Sequence, residues 1–293
     1  MVTSVAVIGV GLMGAPIARS VRRAGFELRV CDVNEAALQP FREEGVPAST
    51  SAADCGTSDV VLLLVMTVQQ MRDALLGPDG VAAGVKDGKK PIVVVMATVG
   101  RAAIVQVASD LAELGIEVVD SPISGGAVRA AEGTLSVMAS GSPETLARVR
   151  PVLEAVGSEV LECGAVGSSQ MIKVLNNVIG GINTLMAAET YRIALENGMN
   201  LAKANEILEA STGRHWLTRD ADEAARTFDQ LSSKKEIFDG LMRLMHKDFS
   251  CATELLDETD VQYPVLRGVM GVLDSVGDES YENWRFTGAG QVR

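Results

Sequence analysis

Residues Val7–Pro16 read VIGVGLMGAP, and the strand-like run Ser4-Val5-Ala6-Val7-Ile8 feeds straight into them. The spacing Gly9-x-Gly11-x-x-Gly14 puts three bare backbone positions where a strand gives way to a helix. Gly9 permits the tight turn out of the strand. Gly11 removes a side chain where a pyrophosphate would press on the backbone, and Gly14 lets the next helix lie close to the sheet. The turn through Leu12 and Met13 leads into a helix whose unpaired N–H groups and positive dipole end suit phosphate. Pro16 belongs in a first turn, where a missing N–H is tolerated. Asp32 stands eighteen residues beyond Gly14, at the end of the second strand-like run. A carboxylate there accepts hydrogen bonds from the adenosine ribose hydroxyls and repels a 2′-phosphate. Val33 and Asn34 follow without an arginine, so the stretch predicts NAD in preference to NADP.

The rest of the first half alternates short apolar runs with amphipathic segments. Strands are expected over Val5–Gly9, Glu27–Cys31, Val60–Val65, Ile92–Met96, Ile116–Asp120, Ser136–Ala139 and Glu159–Glu162. Most are nearly all apolar, as parallel strands covered on both faces should be. Helices are expected over Glu35–Glu44, Arg101–Leu114 and Pro143–Val156. The fold class is therefore an α/β Rossmann-type dinucleotide-binding domain, over residues 1–162. Beyond it the β-branched runs stop, and long helical patterns cover Ser168–Asn197, Leu201–Ser211, Asp239–Glu258 and Tyr263–Ser275. These predict an all-α domain over residues 163–293, entered through a long interdomain helix, with Gly164 and Gly167 as a hinge. That helix, about 30 residues and roughly 45 Å long, has more apolar surface than one small domain can cover. A homodimer or homotetramer packed through the helical domains is expected.

Composition narrows the class of function. Of 293 residues, 47% are hydrophobic and 22% charged, as in a globular protein. The formal net charge of −12 would be repelled by a nucleic acid duplex or an acidic bilayer, so no nucleic acid and no membrane partner is expected. Cys31, Cys55, Cys163 and Cys251 form no CxxC pair, and the two histidines are His215 and His246, so no metal site is expected. Free, mostly apolar-flanked cysteines suit a reducing cytoplasm. No basic n-region precedes the first strand, and no apolar run reaches spanning length.

Two further stretches suggest chemistry. In QMIKVLNNVIGGINTL, Lys173 is flanked by Met171, Ile172, Val174, Leu175, Val178, Ile179 and Ile182. A helix apolar on nearly every side is buried, and burying an ammonium group without partners costs several kcal/mol. Asn177 follows one turn on, and Gly180, Gly181 and Thr184 lie close to the same line. The stripe offers a proton carrier whose pKa desolvation would lower, an amide, and bare backbone for a small substrate. The same residues also suit a lysine with its head in solvent and glycines that let two helices pack. In DSPISGGAVRAAEGTL, Asp120 ends a strand, so the loop lies at the carboxyl edge of the sheet, where ligands bind. Ser124, Gly125 and Gly126 present a hydroxyl and consecutive N–H groups that suit a carboxylate. A plain connecting turn fits that loop as well.

Together these residues resemble the β-hydroxyacid dehydrogenases, the group of 3-hydroxyisobutyrate dehydrogenase and tartronate semialdehyde reductase, over essentially the whole chain. The glycine loop, DSPISGG, GAVGSSQMIKVLNN and KDFSCA (Lys247–Ala252) match the family's motifs in order. The resemblance implies NAD-dependent, reversible hydride transfer to and from a small 3-hydroxy acid. It implies Lys173 as catalytic acid/base and Asn177 as the residue that holds substrate beside it. Ser124, Gly125 and Gly126 would bind the substrate carboxylate, and Trp216, within STGRHW, would line the pocket. Cofactor contacts would come from Gly9, Gly11, Leu12, Met13, Gly14, Asp32, Met66, Thr67, Thr98 and Lys247. The family usually has Gly at Ser169, Pro at Thr67, Ser at Ala97, Ala at Ser121 and an aromatic residue at Gly240. The last difference suggests a roomier pocket. Arg214 or His215 would select a second polar group of the substrate, although a surface salt bridge explains Arg214 as well, and Asp248 reads as an ion-pair partner. Three alternatives share the fold: an imine reductase, whose members usually lack the lysine, a non-catalytic NAD-binding scaffold, and a decarboxylating phosphosugar dehydrogenase.

Overall fold

The computed structural model describes residues 2–86 and 88–289. They form two compact units, Met1–Lys173 and Val174–Arg293. The first unit begins β1 (Ser4–Ile8), α1 (Gly14–Arg23), β2 (Glu27–Cys31), α2 (Glu35–Glu43), β3 (Ala48–Ser49), β4 (Val60–Leu63) and α3 (Val68–Leu76). It continues through β5 (Ile92–Val95), α4 (Arg101–Glu113), β6 (Glu117–Asp120), β7 (Ile123–Ser124), α5 (Gly126–Glu132), β8 (Leu135–Ser140), α6 (Pro143–Val156) and β9 (Gly157–Gly164).

The sheet runs in the order β3-β2-β1-β4-β5-β6-β8-β7, with β9 paired to β8. From β3 to β6 every pairing is parallel. The order 3-2-1-4-5-6 is that of a Rossmann sheet, and its reversal between β1 and β4 is where such sheets bind dinucleotides. Alternation divides the apolar side chains between two layers. Val5, Val7, Leu62 and Val94 face Ile17, Leu38 and Val149 of the helices on one side. Ala6, Ile8, Leu63, Val93 and Val95 face Met71, Ile104 and Leu111 on the other. Each fully buried Val or Leu contributes about 2 kcal/mol relative to exposure.

Each of the seven expected strands is present to within a few residues. The expectation of parallel strands fails where β8 meets β6 and β7, to both of which it runs antiparallel, and holds again for β9, which pairs parallel with β8. Only residues 125–134 separate β7 from β8, fewer than the dozen or more a parallel crossover needs. The segment after Asp120 is therefore not a plain loop. It holds the two-residue strand β7 and the seven-residue helix α5.

A 29-residue helix, α7 (Ser168–Glu196), starts in the first unit and continues into the second. The second unit adds α8 (Leu201–Glu209), α9 (Ala221–Leu231), α10 (Lys235–Asp257), α11 (Pro264–Met270) and α12 (Asp278–Gly288). Its core, otherwise aliphatic, contains a cluster of aromatic rings. Phe228 meets Trp284 edge-on at 5.3 Å, and Trp284 meets Phe238 at 5.2 Å. The long carboxy-terminal patterns are corrected in detail: α10 begins at Lys235 rather than Asp239, and the helix expected to run to Ser275 becomes a 3-10 turn from Gly271.

Candidate active site

The glycine loop is built as its spacing requires. Gly9 has φ +87°, and a Cβ there would lie 2.4 Å from Leu64 O, so only glycine lets β1 turn against the end of β4. At Gly14 a Cβ would lie 1.8 Å from Gly9 O. Around Gly11, by contrast, a Cβ would meet nothing within 4 Å. The protein's own packing explains two of the three glycines, and the third opens onto free space, as expected where a ligand approaches the backbone. Helix α1 begins there without a side-chain cap. Leu12, Met66 and Val33 surround this edge as exposed apolar side chains at 82%, 70% and 88% exposure. The loop, the helix start and the apolar rim fit a dinucleotide.

Asp32 has a second duty that sequence alone did not reveal. Its Oδ2 accepts from Val10 N at 2.8 Å and its Oδ1 from Asn34 N at 2.9 Å. The carboxylate thus staples the glycine loop to the start of α2, and each oxygen retains acceptor capacity. Thr67 is likewise engaged as the N-cap of α3. Its Oγ1 accepts from Gln70 N, while Gln70 Oε1 accepts from Met66 N and Thr67 N.

Ser124 ends β7, and Gly125 and Gly126 follow with φ +136° and +71°, a backbone reversal that L side chains rarely adopt. Both glycines are exposed at the start of α5, which also lacks a side-chain cap.

The start of α7 is fastened to the ends of β5 and β6. Asp120 Oδ2 accepts from Gly167 N and Gln170 N, both at 3.1 Å, and Ser140 Oγ accepts from Ser169 N. Gln170 Nε2 donates to Asp120 Oδ1 at 2.8 Å and to Ala97 O at 2.9 Å. Its Oε1 accepts from Val99 N and Gly100 N. Asp120 is fully buried, and desolvation pushes its pKa up to about 6 against the pull of these donors. Three residues past Gln170 lies Lys173, 7% exposed. Gln170, not singled out from sequence, binds the backbone on both sides of Thr98. Its one visible signal is an amide in the first turn of an apolar helix.

In the second unit, Asn177 Nδ2 donates to Asp248 Oδ2 at 2.6 Å, and Lys247 Nζ lies 3.0 Å from Asp248 Oδ1. The latter contact is an ion pair without hydrogen-bond alignment. Asp248 is 5% exposed and joins two of the expected site residues. A Cβ on Gly181 would lie 2.7 Å from Met245 Cε and 3.3 Å from Phe249 Cε1. That glycine serves the packing of α10 on α7, whereas Gly180 faces open space. Trp216 is exposed, on the segment between α8 and α9. Beside it, His215 Nδ1 accepts from Leu217 N, and burial holds the imidazole below its usual pKa while Glu209 opposes. Cys163 and Cys251 are half-buried, and all four cysteines are free. Among the described residues no cluster of His, Cys, Asp and Glu could hold a metal ion, and no helix is long and apolar enough to cross a membrane.

Fold and loop together define a NAD(P)-binding protein of the dehydrogenase type, and comparison with known proteins agrees. Residues 4–167 match the NAD binding domain of 6-phosphogluconate dehydrogenase, and residues 167–290 match the family described as the NAD-binding of NADP-dependent 3-hydroxyisobutyrate dehydrogenase. L-threonate dehydrogenase of Cupriavidus necator is 35% identical over 219 residues, 74% of this chain and 73% of that protein. The 3-hydroxyisobutyrate dehydrogenase of Pseudomonas aeruginosa is 31% identical over 252 residues, 85% and 84% of the two chains. A crystal structure of 3-hydroxyisobutyrate dehydrogenase from Salmonella typhimurium superposes with a TM-score of 0.77 at 28% identity over 95% of each chain. An imine reductase from Myxococcus stipitatus, with a TM-score of 0.61, 17% identity and 94% of each chain covered, shares the fold. The chain belongs to the β-hydroxyacid dehydrogenase family, NAD(P)-binding dehydrogenases that act on the hydroxyl group of small hydroxy acids.

Proposed function

We propose that this protein oxidises the hydroxyl of a small 3-hydroxy acid, reversibly, with NAD as redox partner and Lys173 as acid/base. The observation that carries the proposal is the burial of Lys173, 7% exposed, one turn beyond a fastened helix start. A side chain that prefers water is held out of it, where a proton carrier is useful.

Bound at the loop, NAD supplies the hydride acceptor. Backbone at Gly9, Gly11, Leu12, Met13 and Gly14 receives the pyrophosphate, and Asp32 takes the ribose hydroxyls. Met66, Thr67, Thr98 and Lys247 make further cofactor contacts. Ser124, Gly125 and Gly126 grip the substrate carboxylate. Asn177, with one amide N–H given to Asp248, holds the substrate hydroxyl oxygen with its second N–H. Trp216 lines the pocket. As an uncharged amine, Lys173 takes the hydroxyl proton during oxidation, and as an ammonium it returns that proton during reduction. Oxidation therefore rises with pH and reduction falls.

The acid at Asp32, with Val33 and Asn34 beside it, favours NAD over NADP. We further propose a homodimer or homotetramer. Ile179, Met186 and Ile193 recur every seventh residue along α7 and are 60%, 61% and 62% exposed, an apolar stripe suited to a second copy. Four free cysteines favour a cytoplasmic setting.

The test is Lys173→Ala. The expected result is a loss of about 1,000-fold in kcat with NADH binding, read by fluorescence, unchanged. A near wild-type rate overturns the assignment. NAD-reduction assays over hydroxyisobutyrate, glycerate, serine, threonate and 4-hydroxybutyrate identify the substrate. Amine-dependent NADPH oxidation in place of acid oxidation points instead to an imine reductase.

A further inference from the structure

The proton carrier proposed above must stand at a fixed distance from the loop that carries Thr98. We propose that Gln170 and Asp120 are positioning residues for Lys173, locking the first turn of α7 to the backbone on both sides of Thr98. The inference rests on the reading of Lys173 as acid/base.

Capping alone does not account for the arrangement. A helix start needs acceptors for its free N–H groups, and Asp120 Oδ2 with Ser140 Oγ already supplies them. The Gln170 side chain does something else. Its two N–H donors and both lone pairs of its oxygen are used, on Asp120 Oδ1, Ala97 O, Val99 N and Gly100 N. Three of those four partners belong to the segment after β5. One amide thus ties the turn around Thr98, the end of β6 and the first turn of α7 into one rigid knot. It is fully buried, so water cannot replace any of these bonds. Lys173 follows at i+3, on the neighbouring line of the same helix face. A shift of α7 along its axis, or a rotation about it, moves the amine relative to Thr98. The knot blocks both motions.

Gln170→Met keeps length and removes every bond of the amide. The single-turnover oxidation rate is expected to fall by about 100-fold, the loss that follows a misplacement of about 1 Å. NADH affinity should change by no more than about twofold, and the same substitution made in Lys173→Ala should lower the residual rate by no more than about twofold. Asp120→Asn combined with Gln170→Glu exchanges the amide and the carboxyl. It restores the bond between the two side chains, at the loss of the one to Ala97 O, and should be faster than Asp120→Asn alone. It also carries the test if Gln170→Met does not fold.

The proposal fails if Gln170→Met retains the wild-type rate, or loses as much in the Lys173→Ala background as in the parent. It fails too if NADH binding weakens in step with the rate, or if the exchange is no faster than Asp120→Asn. A Lys173→Ala enzyme of near wild-type rate removes the reading beneath it. A crippled Lys173→Ala enzyme with an unaffected Gln170→Met enzyme removes the positioning role alone.

Discussion

The two units present their candidate site residues by different means. In the first, the candidate cofactor and substrate loops are mostly backbone: Gly9 and Gly14 in close packing, Gly11 beside open space, Gly125 and Gly126 in a reversed turn. In the second, Asn177, Asp248 and Lys247 are side chains that hold one another. A backbone site depends on glycines at set positions, and local spacing reveals them. A side-chain site depends on a partner 71 residues away, and spacing is silent about it.

Substitutions sharpen that contrast, beginning where the effect is largest. Gly14→Ala forces a methyl into the carbonyl of Gly9 and is expected to cost at least about 3 kcal/mol in chemical denaturation. Gly11→Ala should leave stability intact and weaken NADH binding about tenfold in a fluorescence titration. Equal stability losses at the two positions would refute the division of labour within the loop. The pH dependence comes next. Asp120 titrates at about 6 when folded, above the ordinary carboxyl value of 3.8, so between those pH values the folded state binds more protons than the unfolded one. Its contribution to stability is full below about pH 4 and is lost as pH rises through about 6, by roughly 3 kcal/mol. Denaturation curves from pH 4 to 7 should show this slope, and Asp120→Asn should flatten it.

For the second unit, Asp248→Ala removes the acceptor of Asn177 and the ion-pair partner of Lys247. It should cost about 2 kcal/mol, or about 5 °C in melting temperature by calorimetry. If the melting temperature does not move, the trio is incidental. The smallest effect is expected at Val33→Arg, where an exposed cation can meet a 2′-phosphate and lower KM for NADP about tenfold in steady-state assays.

Strands were readable because apolar β-branched runs such as Ile92–Val95 have few other uses. The strands Ala48–Ser49 and Ile123–Ser124 were not, since two residues carry no period. Helix α5 was hidden by the glycines at its start. Helices α9 and α12 were also missed, because each buries few residues, Ala224 and Phe228 in one and Trp284 and Thr287 in the other, among charged neighbours. Of the candidate site, the glycine loop and Lys173 stood out as local anomalies. The staple made by Asp32 and the amide knot at Gln170 did not, because each is a meeting of segments distant in the chain.

Asp32 has a consequence for how such a sequence changes over generations. The acid proposed to turn away a phosphorylated ribose also holds Val10 and Asn34 in place. A lineage drifting toward the phosphorylated nucleotide therefore has an order imposed on it: a basic neighbour is gained first, and the acid is surrendered late or never.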